Sequence, residues 1–231
     1  MNITPIAFAS TPFKEKFGIP RQPSLIKHAN SVIEFVSPYD QPDAFVGLEQ
    51  YSHLWLQFGF HQHEHAEFKP LVRPPRLGGN KKTGVFATRS SFRPNSLGLS
   101  LVELKQVILD KKTSLIVSCP DLLDGTPIYD IKPYIEYSDS AINPQCGIAK
   151  NAPSSKLDVV FSDKARAMLH ALTKNGYTNL ECFVKEVMEQ DPRPAYKQQN
   201  EDPKIYGMKL YAFEIKFRVE QNSLIVIDIT S

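Results

Sequence analysis

The stretch Leu97-Gly98-Leu99-Ser100-Leu101-Val102-Glu103-Leu104-Lys105-Gln106-Val107-Ile108-Leu109 alternates in hydrophobicity, and Ser114–Ser118 follows it after a short polar gap. Period-2 alternation rich in branched residues predicts strands, and the gap fits a hairpin connection. Working outward, His53–Phe60 carries Leu54, Trp55, Leu56, Phe58 and Phe60, Ser31–Ser37 carries Val32, Ile33, Phe35 and Val36, and Ile3–Ala9 has a near period-2 pattern. A helical turn is expected over Asp43–Leu48, after Pro42. No helix of 10–15 residues separates these strands, so the pattern predicts a mainly β fold, an antiparallel barrel or sandwich, not a doubly wound sheet.

Composition changes over Asn143–Ser155, where Asn, Pro, Gly and Ser cluster, which predicts a linker. The expected domains are residues 1–145 and a small α+β domain over 155–231. In the second, Leu157–Phe161 is a short strand and Ser162 caps a helix to about Asn175, with Gly176 behind it. Thr178 and Glu181 match a capping box for a second helix to about Gln190. An irregular stretch, Asp191–Pro203, leads to strands over Ile205–Val219 and Leu224–Thr230.

The bulk numbers are those of an ordinary folded chain: 231 residues, 42% hydrophobic, 23% charged, net charge +2. A chain of this size buries enough surface to fold without disulfides or metals. Cys119, Cys146 and Cys182 fit no metal or redox spacing and are expected to be reduced core residues. Neither a leader peptide nor a membrane-spanning run is legible, so a cytoplasmic protein with no membrane partner is expected.

The chemistry concentrates in residues 73–134. Seven cations, Lys69, Arg73, Arg76, Lys81, Lys82, Arg89 and Arg93, fall between Lys69 and Pro94 with no acidic residue. Two prolines stiffen Arg73–Arg76, and Gly78-Gly79 permits tight turns, a combination suited to holding an anion. No G-x-G-x-x-G or G-x-x-x-x-G-K-[ST] spacing occurs, so neither a Rossmann nor a P-loop site is supported. Asp121-Leu122-Leu123-Asp124-Gly125 adds carboxylates, and a site of both signs suits a zwitterion. His61, His63 and His65 would share one strand face, which raises a metal reading; a solvent-facing strand end is the better one, and no metal is expected.

Phe13–Pro23, Ser52–Leu56, Arg73–Gly79, Gly84–Ser90, Arg93–Asn95 and Asp121–Pro127 together resemble the signature of the TsaA-like, or TrmO, family, in order and spacing. Asp191-Pro192-Arg193-Pro194-Ala195-Tyr196 resembles the marker of that family's bacterial C-terminal domain. Ser24 and Ser96 depart from the pattern without changing a charge. The resemblance implies a β-barrel homodimer that uses S-adenosyl-L-methionine to methylate N6 of threonylcarbamoyl-adenosine at position 37 of tRNA. Carried over by motif, it implies a cofactor set of Pro20, Arg21, Gln22, His61, Gln62, Arg89, Leu99, Asp121, Leu122, Leu123 and Asp124. Asp191 is the expected acceptor for the amine N–H, with Tyr196 stacking on the base. Arg73, Arg76, Lys81, Lys82, Arg93 and Arg193 are expected to face tRNA, helped by Lys14, Lys16, Arg21 and Lys27. Two other readings stand beside this: a non-catalytic RNA-binding barrel that senses a nucleotide, and a metal hydrolase built on the histidines.

Overall fold

A computed structural model describes residues 2–63, 68–78, 81–151, 157–194, 197 and 204–230. Among the described residues, the strands are β1 (Ala7–Ser10), β2 (Asn30–Phe35), β3 (His53–Gly59), β4 (Leu71–Val72), β5 (Thr83–Gly84), β6 (Leu97–Leu109), β7 (Thr113–Ser118), β8 (Thr126–Pro133), β9 (Asp158–Phe161), β10 (Tyr206–Leu210), β11 (Phe213–Glu220) and β12 (Ser223–Thr230). The helices are α1 (Glu136–Asp139), α2 (Asp163–Lys174) and α3 (Leu180–Glu189), with several 3₁₀ turns between elements.

Six strands close into a barrel in the order β1-β2-β7-β6-β3-β8. β1 pairs antiparallel with β2 and β8, β3 with β6 and β8, and β6 with β7. Closure settles the barrel-or-sandwich choice and removes the unpaired edges of an open sheet. Alternation fills the interior: Leu54, Leu56 and Phe58 of β3 are buried, as are Ala7, Ala9, Ile33, Phe35, Leu115, Val117 and Ile128 of the other strands. Phe58 lies across from Gly98 in the β3–β6 register, and any Cβ at Gly98 would run into its ring. Glycine is therefore required there by close packing.

The second body is a sheet in the order β10-β11-β12-β9, antiparallel except for the parallel β12–β9 pair. The parallel pair is made possible by α2 and α3, which lie between these strands in sequence. Ser162 caps α2 as expected, its Oγ accepting from the Ala165 N–H at 3.1 Å. The apolar faces of both helices and the sheet form one core that includes Leu169, Phe183, Val184, Ile215, Phe217 and Val226.

The contacts divide the chain into Met1–Ser10, Val32–Val117 and Gly125–Ala152 on one side, and Thr11–Ser31, Ser118–Asp124 and Pro153–Ser231 on the other. The β1–β2 and β7–β8 connections thus belong to the second unit. Phe13, Ile26, Ala29 and Cys119 sit in its core.

Several local expectations change. β8 carries Pro127 and Pro133, and those prolines hide a strand that closes the barrel. Ile205–Val219 is a hairpin, not one strand, turning at Tyr211, whose φ is +53°. α3 begins one residue later than a Thr178 capping box requires; its N-cap is Asn179, at φ +61° and without a side-chain cap bond. His61–His63 forms a 3₁₀ turn, so these histidines do not alternate along a strand; His65 lies outside the described residues. Cys119 is buried, but Cys146 and Cys182 are exposed rather than core residues.

Candidate active site

In the second unit, the N-terminal connection is pinned along its length. Phe13 bridges to Leu210, and the Tyr211 N–H donates to Pro12 O at 2.7 Å. Glu15 Oε1 accepts from the Lys209 N–H at 2.9 Å. Phe17 stacks on Tyr206 and Phe217, each with centroids 6.3 Å apart. Gly18 turns the chain at φ +89° against Met208, a position with no room for a Cβ. Beyond the turn Pro20 is buried and Arg21 exposed, while Gln22 precedes a 3₁₀ turn over Pro23–Leu25.

This pinned segment and the end of α3 enclose a cavity of about 140 Å³. Its walls include Lys16, Gly18, Pro20 and Arg21 from the segment, and Gln190, Asp191 and Pro192 from beyond α3. Two motifs about 170 residues apart in sequence are thereby brought to one place. Lys16 was expected only as a cation facing tRNA, and Gly18 and Gln190 were not among the expected site residues; their meeting depends on a long-range contact that no local pattern announces.

Asp191 ends α3. Its φ is +47°, its N–H donates to Met188 O at 3.0 Å, and the left-handed turn acts as a helix stop. Its carboxylate takes the guanidinium fork of Arg193, with Nε–Oδ1 at 2.9 Å and Nη2–Oδ2 at 2.8 Å. The two side chains are 3% and 2% exposed, so this is a buried, bidentate ion pair. Expected roles that were separate, amine acceptor and phosphate contact, fall on groups that hold each other. Tyr196 lies outside the described residues.

The Asp121–Asp124 run is stitched to the start of the same connection. Asp124 Oδ1 accepts the Thr11 N–H at 2.9 Å and its Oδ2 pairs with Lys14 Nζ at 2.7 Å. Its own N–H donates to Phe13 O at 2.8 Å, and Thr11 Oγ1 donates to Leu122 O at 3.0 Å. Leu122 and Leu123 are buried, and Asp121 is half-buried. Next to the run, burial pushes the Cys119 thiol up to about 12, opposed by the neighbouring Ser31 hydroxyl and helped by the nearby charges of Glu186 and Asp121.

In the barrel unit, His61 and Gln62 follow directly on β3, whose last residue pairs with Leu97, so they emerge beside the start of β6. Leu99 points outward from β6 and is 49% exposed. Arg89 is exposed. Arg93 instead clasps its own loop, Nη1 donating to Thr88 O at 2.9 Å while the guanidinium lies over Phe86. Arg73, Lys81 and Lys82 are exposed, as a solvent- or RNA-facing set requires; Arg76 belongs to a 3₁₀ turn over Pro75–Leu77. Among the described residues no group of three or more His, Cys, Asp or Glu side chains could hold a metal ion. Nor is any helix long and apolar enough to cross a membrane.

Family models for the tRNA-methyltransferase O N-terminal domain and the TrmO C-terminal domain match residues 8–140 and 154–231. The chain is 46% identical over 215 residues to the tRNA (adenine(37)-N6)-methyltransferase of Escherichia coli, covering 93% of this chain and 91% of that one. It is 41% identical over 229 residues to a Pseudomonas aeruginosa protein provisionally described as an S-adenosylmethionine-dependent methyltransferase, covering 99% and 97%. A crystal structure of TrmO from Pseudomonas aeruginosa superposes with a TM-score of 0.82 at 34% identity, covering 100% of this chain and 98% of that one. A full-length match in sequence, architecture and domain order leaves one conclusion: the chain belongs to the tRNA-methyltransferase O family.

Proposed function

We propose that this protein methylates N6 of threonylcarbamoyl-adenosine at position 37 of tRNA. One observation carries the reading: near-full-length identity of 46% to a tRNA (adenine(37)-N6)-methyltransferase, with both family domains present. S-adenosyl-L-methionine, when bound, supplies an electrophilic methyl group for direct displacement by the exocyclic amine. The residues that line or brace its site are Pro20, Arg21, Gln22, His61, Gln62, Arg89, Leu99 and Asp121 to Asp124.

Their chemistry fits a zwitterion in part. Arg21 and Arg89 are exposed guanidiniums able to meet a carboxylate, and Asp121 is the carboxylate suited to an ammonium or a ribose. Asp124 is already engaged by Thr11 and Lys14, so its role is to fix the run rather than to touch the ligand. The 140 Å³ cavity is smaller than whole-ligand pockets, roughly 300–1,000 Å³, and suits only one end of the molecule.

Asp191 and Arg193 act as a unit. The pair holds the turn after α3 and thereby the wall of the Pro20–Arg21 cavity, and Asp191 reaches an amine only when Arg193 releases it. The rate gain then rests mainly on positioning. Arg73, Arg76, Lys81 and Lys82 track tRNA phosphates, and salt should weaken binding accordingly.

The working form is a cytoplasmic homodimer. The barrel unit supports it by exposing Phe68, Leu71, Phe86, Leu97 and Leu99, between 38% and 70% each. Apolar surface of that kind marks association sites. Sedimentation at micromolar concentration reads the oligomer directly.

The decisive experiment incubates purified protein with methyl-labelled S-adenosylmethionine and tRNA carrying or lacking the threonylcarbamoyl group. Label on the modified nucleoside alone is the expected result. Binding of tRNA without any transfer would sink the enzymatic reading in favour of a sensing barrel.

A further inference from the structure

The second unit contains another cavity, of about 380 Å³, that the methyl-transfer reading leaves unused. Lys27, His28, Asn30, Tyr177, Asn179 and Tyr211 are among the residues lining it. Its volume lies within the range of ligand pockets, roughly 300–1,000 Å³. We propose that it receives a splayed-out nucleotide of the tRNA strand, separate from the base that is methylated.

One wall is aromatic and rigid. Tyr177 and Tyr211 meet edge-on at 5.7 Å, Tyr177 leans on Phe213 at 4.8 Å, and Tyr211 on Phe183 at 5.6 Å. Rings already locked by neighbours lose little freedom when a base packs on them, and base–aromatic packing is the usual anchor for unpaired nucleotides. The other wall is polar and equally fixed. Glu186 Oε2 accepts the N–H groups of Lys27 and His28 at 2.9 and 3.1 Å, and Oε1 pairs with His28 Nδ1 at 2.7 Å. That carboxylate is thus committed to the wall, and the exposed Lys27 side chain remains as the cation suited to a phosphate. Asn30 and Asn179 bring amides that can read a base edge or a 2′-hydroxyl, and Asn179 makes no side-chain cap bond to α3. Aromatic faces, one cation and two amides match a nucleotide better than a purely apolar ligand or an acidic peptide.

This inference rests on RNA being the substrate. The test uses the full chain and measures equilibrium tRNA binding at several salt concentrations. Lys27→Glu should weaken binding about tenfold and flatten the salt slope by about one phosphate contact. Tyr177→Leu should weaken it about five- to tenfold. Neither change should alter affinity for S-adenosylmethionine, and the kinetic loss should fall on KM for tRNA. Ultraviolet crosslinking of bound tRNA should capture Tyr177 or Tyr211. Parental tRNA binding by Lys27→Glu, a surface change that spares the core, would overturn the proposal. So would adenosine monophosphate filling the cavity without competing with tRNA, which would make it a free-nucleotide site. A parent protein that binds tRNA through this cavity yet transfers no methyl group would refute the proposed function and leave this inference standing.

Discussion

Replacing Arg193 by Met tests whether the buried pair with Asp191 builds the turn beyond α3. Both side chains are almost fully buried, at 3% and 2% exposure, and both carboxylate oxygens accept from the guanidinium at 2.9 and 2.8 Å. Removing one partner strips a buried charge of this bidentate contact, which costs about 3–5 kcal/mol. Asp191→Ala should cost more, because alanine also pays about 1–2 kcal/mol at a left-handed φ of +47°. Asp191→Asn should be milder, since asparagine tolerates that conformation and keeps one acceptor. The double variant Asp191→Asn with Arg193→Met should lose less than the two single losses added together, by about 2 kcal/mol. Urea unfolding measures this, with midpoints moving by about 1–2 M for the larger losses. Two signals help: α2 and α3 of the second unit dominate the helical ellipticity, while Trp55, the single tryptophan, reports the barrel. A cost below about 1 kcal/mol for Arg193→Met, or strict additivity in the double variant, would refute a structural pair. A folded Asp191→Asn that binds cofactor but transfers no methyl group would give Asp191 a direct chemical role instead.

Three further outcomes follow from the packing. Gly98→Ala forces a methyl group into the Phe58 ring and should destabilise the barrel by about 1–3 kcal/mol, read as a lower unfolding midpoint by Trp55 fluorescence. Thiol reagents should label Cys146 and Cys182 in the native protein and Cys119 only after unfolding. The Cys119 thiol also makes stability fall as pH rises from 9.0 towards about 12, because in that window the unfolded thiol ionises while the buried one keeps its proton; Cys119→Ser should change the slope of midpoint against pH there. Lys14→Ala should cost under about 1 kcal/mol, its ion pair being partly exposed. Asp124→Ala should cost about 1 kcal/mol more, because it also strips the Thr11 N–H of its acceptor.

The barrel was legible where alternation is unbroken, as in β3, β6 and β7, because one side of each strand faces a closed interior. β8 escaped notice because its prolines and Asp130 mimic a turn, although pairing with β1 and β3 holds it extended. Ser162 was readable as a cap since its bond is local; Asn179 was not, since the backbone and not the side chain makes that helix start. The candidate site divided in the same way. Motifs supplied the candidates, but the partnership of Asp191 with Arg193, the meeting of residues 16–21 with 187–192 and the Lys27–Tyr211 cavity all depend on tertiary contacts.

The borrowed residues in the second unit's core bear on how the protein could be cut or recombined. A gene fragment starting at the 153–157 junction would encode the sheet and both helices without Phe13, Ile26, Ala29 and Cys119, which lie 0–6% exposed in the intact chain. Each aliphatic or aromatic side chain so lost is worth about 1.5–3 kcal/mol of burial, a large share of a small domain's margin. The complementary fragment would display the same residues to water and invite aggregation. Domain swaps between relatives should therefore move residues 11–31 and 118–124 together with the C-terminal segment, because the heritable folding unit is discontinuous even though the family models divide the chain in two at a single place.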